Sequence, residues 1–194
     1  TYGLEGKVQR FGEAGLLGAD TTYIHCTSLN DTEIQMIVDT GGTITIAFPV
    51  EMMMGHGMPP IQKFLDRGLQ PSLSIDVETN VPNDMFTQMR SVISLQHALA
   101  EQAGRPAITM RDVLWYATME GARANGLEDK VGSLTPGKQA DIVIIDTKAV
   151  NMTPVIDPVA AVTLCADVSN VEHVIVDGVF RKRDFRLLAD VDRA

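Results

Sequence analysis

Three short apolar runs, residues 21–25, 43–48 and 71–76, are each followed by a stretch whose apolar positions return every three or four residues. The runs have strand length and β-branched content, and the longer stretches have the period of helices buried along one face. The first run ends on His25, the second is stopped by Pro49, and the third ends on Asp76. Asn30 or Asp31 caps a helix to residue 40, with Ile34, Ile37 and Val38 on one buried face, before Gly41 and Gly42 end it. Pro60 suits the first turn of a short helix that Gly68 closes, and a long helix starts at the cap Asp84 and stops at Gly104. This repeated strand–helix order over residues 21–104 predicts parallel strands joined by right-handed crossovers. Ahead of it, residues 5–18 read as a weak helix with Val8, Phe11, Leu16 and Leu17 as its apolar contacts.

Thr109 caps a further helix over residues 110–118, with Asp112 placed to return the capping bond. The pattern then changes. Residues 141–146 form a compact strand, residues 157–165 a short helix, and residues 171–176 and 179–181 flank Asp177-Gly178, a two-residue hairpin signal. The chain therefore divides into residues 1–129, with the strand–helix units, and residues 130–194, a smaller β-rich unit. Three parallel strands leave both sheet edges open, and a closed eightfold barrel needs about 250 residues. The expectation is a segment of something longer, completed by an upstream part or by a complementing chain.

A formal charge of −9 over 194 residues argues against nucleic acid as a partner, because that binding rests on Lys and Arg neutralising phosphates. Neither a run of about 20 apolar residues nor a basic-then-apolar leader is visible, and the chain opens on Thr1. The two cysteines, Cys26 and Cys165, are too few for a disulfide framework and fit a reducing cytoplasm, each read as a buried apolar thiol.

Parallel strands aim their carboxyl ends at one shared face, where α/β folds gather their chemistry, so His25 and Asp76 are expected to meet there. Taken alone, His25 reads first as a satisfied core histidine, with metal ligand or water-orienting base as the functional readings. A carboxylate at the end of an apolar strand is costly without a cation or several donors, which favours function for Asp76; a cap of the following loop is the alternative. His56 stands between two glycines in the methionine-rich loop of residues 51–58 and is as readily a surface histidine as a ligand-contacting one. The methionines suit an adaptable apolar pocket wall better than copper. His97 reads as one half of a solvated helix pair with Glu101, and His173 as a strand residue without a role. The spacings lack a phosphate loop, a dinucleotide fingerprint and a nucleophile elbow.

Tyr23-Ile24-His25-Cys26-Thr27, followed by Asn30-Asp31-Thr32-Glu33-Ile34, resembles the sixth barrel strand and helix of the amidohydrolase superfamily, in its chlorohydrolase, guanine deaminase and cytosine deaminase-like branch. Phe48-Pro49 with Met54-Gly55-His56-Gly57-Met58-Pro59 resembles the seventh strand and loop, and Leu73-Ser74-Ile75-Asp76 the eighth strand. Ala117-Thr118-Met119-Glu120-Gly121-Ala122-Arg123 is similar to the helix after the barrel. The run from Val131-Gly132-Ser133-Leu134-Thr135-Pro136-Gly137-Lys138 to Asp141-Ile142-Val143, with Val174-Ile175-Val176-Asp177-Gly178, is similar to the small flanking β-domain.

The resemblance implies an α/β fold: the C-terminal part of a metal-dependent hydrolase TIM (β/α)8 barrel plus part of a small β-sandwich-like domain. It implies that Asp76 ligates one divalent metal ion, Zn or Fe, and shuttles a proton. His25 then orients or helps deprotonate the attacking water, and Glu51, Met54 and His56 contact a small-molecule substrate. The family's His-x-His pair, further histidine and acidic partner have no counterpart in this sequence. Val50-Glu51 stands where the family often has Ser-Asn, and Ser74-Ile75-Asp76 where it often has Gly-Thr-Asp. The implied activity is hydrolytic deamination of a nitrogen heterocycle (purine, pyrimidine or triazine-like), with a possible homo-oligomer. Cyclic amide hydrolysis, a non-catalytic scaffold subunit and a split enzyme are the alternatives.

Overall fold

A computed structural model describes residues 6–79 and 81–188. Residue 5 of the predicted first helix and residues 189–194 of the smaller unit lie outside the described residues.

Helix α1 (Lys7–Glu13) is shorter than expected and buries no residue fully; Val8 packs on the core, while Phe11 and Leu16 are exposed. Strand β1 (Thr22–Ile24) leads to α2 (Asp31–Asp39), whose N-cap Asn30 and Glu33 exchange both bonds of a capping box. Glu33 is buried, because its carboxylate also accepts the Val8 and Gln9 amides at 3.2 and 3.4 Å. It thus ties the start of α1 to α2.

Strand β2 (Thr43–Ile46) is followed at once by helix α3 (Phe48–Met53), where a strand end and a loop were expected. Pro49 lies in the first turn, a position that costs no hydrogen bond, so the residue that stops the strand also starts the helix. Helix α4 (Ile61–Leu65) precedes β3 (Pro71–Leu73), and α5 (Met85–Ala103) runs from the Asp84 cap to Gly104 at φ 62°, as predicted.

The strands are parallel in the order β1-β2-β3, with Thr22 beside Thr43 and Ile44 beside Pro71. Ile44 and Ile46 of β2 meet Ile34, Ile37, Phe64, Val92 and Tyr116 in the main core. Helix α6 (Met110–Trp115), a π-helical turn (Tyr116–Glu120) and α7 (Gly121–Ala124) follow without a break. That π turn and α5 pack on β3, all of whose residues are buried. Strand β1 is less covered: Ile24 is 62% exposed.

Strand β4 (Ile142–Ile145), helix α8 (Pro158–Ala160, continued by a π turn to Cys165), β5 (Val171–Val176), β6 (Val179–Arg183) and β7 (Arg186–Leu187) complete the chain. The four strands form an antiparallel sheet in sequence order, with Asp177 and Gly178 at positive φ in the predicted hairpin turn. Lys138 fastens the preceding loop, donating to the carbonyls of Val131 and Glu128. Helix α8 and its π turn pack on α5 and α6, so this stretch of the smaller unit contributes to the larger one.

Three side chains differ from expectation. Cys26 is buried, but Cys165, the last residue of the π turn after α8, is exposed. His97 bonds the Ile108 carbonyl at 2.9 Å, fastening the loop after α5 in place of a solvated pair with Glu101. His173 accepts the Asp184 amide on Nδ1 at 3.1 Å, which directs Nε2 towards Glu172 and Asp184 at 3.8 and 4.0 Å. No helix of the described residues is long and apolar enough to cross a membrane.

Candidate active site

Both expected chemical residues lie just beyond their strands. The His25 amide still bonds the Thr45 carbonyl at 2.9 Å, after which His25 and Cys26 adopt left-handed backbone with φ of 68° and 57°. Strand β3 likewise extends its ladder through Ser74, whose amide bonds the Ile46 carbonyl at 2.8 Å. Asp76 follows at φ 64°, its amide held by the Ser74 hydroxyl at 3.2 Å. A non-glycine residue in this region costs about 1–2 kcal/mol. Both strands thus leave the sheet abruptly, and strain of this kind collects at functional sites.

These turns bring His25 Nε2 to 3.8 Å from Asp76 Oδ2, with both side chains about 30% exposed. On its other edge, His25 Nδ1 lies 3.1 Å from Glu51 Oε1. Glu51 reaches back along the first turns of α3 to accept the Ala47 amide at 2.9 Å. It is fully buried behind His25 and stands off the open surface where substrate contact was expected. Burial raises the pKa of Glu51 despite the bonds from Ala47 and His25, and the charge of Asp76 acts in the same direction. Beside it, the Cys26 thiol is pushed up to about 12, by burial and then by the Glu51 charge.

His56 stacks edge-on against His25, with ring centroids 5.4 Å apart at 82°. Its backbone is pinned at both ends: the amide donates to the Glu51 carbonyl at 2.9 Å, and the carbonyl accepts the Thr27 hydroxyl at 2.8 Å. Gly55 and Gly57, at φ 71° and 107°, permit this bend. A cleft of about 880 Å3 opens beside these residues, with His25, Thr27, Met54 and His56 among its walls. Met54 is half exposed there; Asp76 and Glu51 do not line the cleft.

As a donor set, the Asp76 carboxylate with the imidazole edge facing it suits a divalent cation that takes oxygen and nitrogen ligands. One carboxylate is a fraction of the three or four protein ligands such a site uses. The residues fit a shared metal site and do not complete one. The sequence did not signal the Glu51–His25 pair, which exists because α3 begins where a loop was expected. Away from the sheet ends, Glu172, His173 and Asp184 also offer ligand atoms within 4.8 Å of one another. There, however, His173 Nδ1 is already an acceptor, so the neutral ring keeps its proton on Nε2, the nitrogen a metal would need.

The amidohydrolase family profile matches residues 2–181. The chain belongs to this family. It is 34% identical over 181 residues to a 5′-deoxyadenosine deaminase of Methanothermobacter thermautotrophicus, a match covering 93% of this chain and 42% of that protein. To a 5-methylthioadenosine/S-adenosylhomocysteine deaminase of Syntrophobacter fumaroxidans it is 30% identical, over 93% of this chain and 41% of the other. Among solved structures, an adenosine deaminase from Xanthomonas campestris with bound zinc superposes with a TM-score of 0.87 at 26% identity, covering 96% of this chain and 42% of that one. This amidohydrolase chain therefore spans about two-fifths of the length of the relatives it matches. Its parallel sheet is a portion of the family's barrel.

Proposed function

We propose that these residues form the C-terminal part of a metal-dependent hydrolase that deaminates a nitrogen heterocycle, with an adenine nucleoside as the first substrate class to test. The observation that carries this reading is the approach of His25 Nε2 to Asp76 Oδ2 at the carboxyl ends of two parallel strands. The activities of these relatives, deaminases of adenine nucleosides, support the substrate class. Asp76 holds a divalent metal ion, Zn or Fe, which when bound makes water acidic enough to yield hydroxide near neutral pH. Water adds to the ring carbon that bears the amine. Asp76 takes the proton from that water and returns it to the departing nitrogen, acting as base and then acid. The C–N bond breaks and ammonia leaves. His25 orients the water, while His56 and Met54 contact the substrate from the cleft wall.

In this reading residues 1–129 belong to the barrel and residues 130–194 to the small composite β-domain. An upstream segment or a second chain supplies the remaining ligands, in a cytoplasmic, homo-oligomeric protein. The test uses the full-length protein, purified without chelating resin. Metal content is measured by elemental analysis, and ammonia release is followed on adenosine, 5′-deoxyadenosine, guanine and cytosine. Near-stoichiometric Zn or Fe with turnover of one of these supports the reading. Metal-free protein that releases no ammonia from any of them overturns it.

A further inference from the structure

Glu51 is a buried ionisable group beside His25 that takes no step in the proposed reaction. Glu51 is fully buried in α3, and its two oxygens differ: Oε1 takes both the Ala47 amide and the His25 ring, while Oε2 is buried without a hydrogen-bond partner among the described residues. Enclosing a carboxylate with one oxygen unsatisfied is costly, and an uncharged side chain would fill the same space at less cost. With Glu51 ionised, and so able only to accept, the arrangement favours one tautomer of His25. A backbone N–H can only donate, so Oε1 is an acceptor towards Ala47. The complementary partner for the same oxygen is an Nδ1–H of His25. In a neutral imidazole, a proton on Nδ1 leaves Nε2 bare, and Nε2 is the nitrogen 3.8 Å from Asp76 Oδ2. The edge-on contact with His56 restrains the same ring from a third side.

We propose that Glu51 is a positioning residue: it holds His25 in the Nδ1–H tautomer, so that Nε2 faces Asp76 as a hydrogen-bond acceptor. This rests on the deaminase reading for its consequence, though not for the pairing itself. A bare Nε2 accepts a hydrogen bond from the attacking water and aims its oxygen lone pair away from the ring, leaving the proton transfer to Asp76. An Nε2–H would instead donate to that oxygen and compete for the electrons that attack. Glu51 reaches substrate only through His25.

Nitrogen-15 NMR of the full-length protein, with the His25 signal assigned by its loss in His25→Gln, reads the tautomer directly. The wild type is expected to carry its proton on Nδ1. Glu51→Leu, which fills the space without an acceptor, should release the proton to Nε2 or to a mixture. Glu51→Gln, whose amide oxygen can still accept from both Ala47 and His25, should restore Nδ1–H and guards against a failure of the Leu variant to fold. On the deaminase substrate, Glu51→Leu should lower kcat about 10–100-fold, the range seen when the outer partner of a metal-ligating histidine is removed. KM should change less than about threefold, and Glu51→Gln should recover most of the rate.

A wild-type His25 protonated on Nε2 overturns the proposal. So does a folded Glu51→Leu protein with unchanged tautomer and kcat, which would leave Glu51 as a helix cap. A tautomer shift in a protein that deaminates nothing supports the pairing and defeats the deaminase reading, so the two failures are distinguishable.

Discussion

His25 Nε2 and Asp76 Oδ2 stand 3.8 Å apart although their strands, β1 and β3, never pair and β2 runs between them. Each side chain crosses that gap from a residue in left-handed backbone, so the approach is a product of the two strand exits. A regular continuation of either strand would send its side chain to an alternate face of the sheet.

Asp76→Asn in the full-length protein should lower kcat by at least about 100-fold, the lower range for loss of a positioned acid–base group. The fold should survive, because the hydrogen bond from the Asp76 amide to the Ser74 hydroxyl is kept and the isosteric amide fills the same space beside His25. Steady-state deaminase kinetics beside circular dichroism checks both halves. Near-normal turnover would remove Asp76 from the mechanism.

His56→Ala should raise KM roughly tenfold or reorder substrate preference, with a smaller effect on kcat. The hydrogen bonds to Glu51 and Thr27 that hold His56 run through its backbone and remain after truncation. What is lost is the ring at the cleft wall and its contact with His25, an aromatic pair worth about 0.5–1.5 kcal/mol. An unchanged profile across the substrate panel would reduce His56 to a loop residue.

The two cysteines should react very differently. With its pKa pushed up to about 12, the Cys26 thiol carries on the order of one thiolate in ten thousand at pH 8. It is also buried, while Cys165 is exposed. Iodoacetamide at pH 8 should alkylate Cys165 in the native protein and reach Cys26 only after denaturation, as read by peptide mass spectrometry. Raising the pH to 9 should leave Cys26 protected, because its titration lies far above that window. Equal labelling of both in the native state would contradict the burial of β1's end.

Glu33→Ala should destabilise the protein by about 2–3 kcal/mol. It removes half of the α2 capping box and strips the Val8 and Gln9 amides of their carboxylate acceptor. Glu33→Gln should cost less, since one acceptor oxygen remains. Denaturant midpoints of the three proteins provide the comparison, and equal midpoints would show that α1 is held by packing alone.

Elements governed by their own residues were legible in advance. Helix α5 begins at Asp84 and ends at Gly104 as read, because an Asp side chain accepting an early amide and a glycine at positive φ are local devices. The Asp177-Gly178 hairpin and the Thr109–Asp112 capping box are local in the same way. Helix α3 is not legible locally, since proline serves equally to end a strand and to open a helix, and only the buried surroundings of Phe48 and Val50 decide between them. His97 was assigned to Glu101 by helical spacing, yet its partner is a carbonyl in the loop that folds back after Gly104.

The sequence by itself determined the alternation of strands and helices, the residues available for chemistry, and the family motifs that carry the resemblance. These are properties of short windows, set by side-chain period, caps and turns. Only the tertiary structure decided that His25 has one edge on Asp76 and the other on a buried Glu51, and that Cys165 faces out while Cys26 does not. Such facts depend on how β1, α3 and β3 leave one sheet and what their exits enclose. Dihedral choices at His25, Cys26 and Asp76, each unfavourable alone, are held there by contacts between residues far apart in the chain.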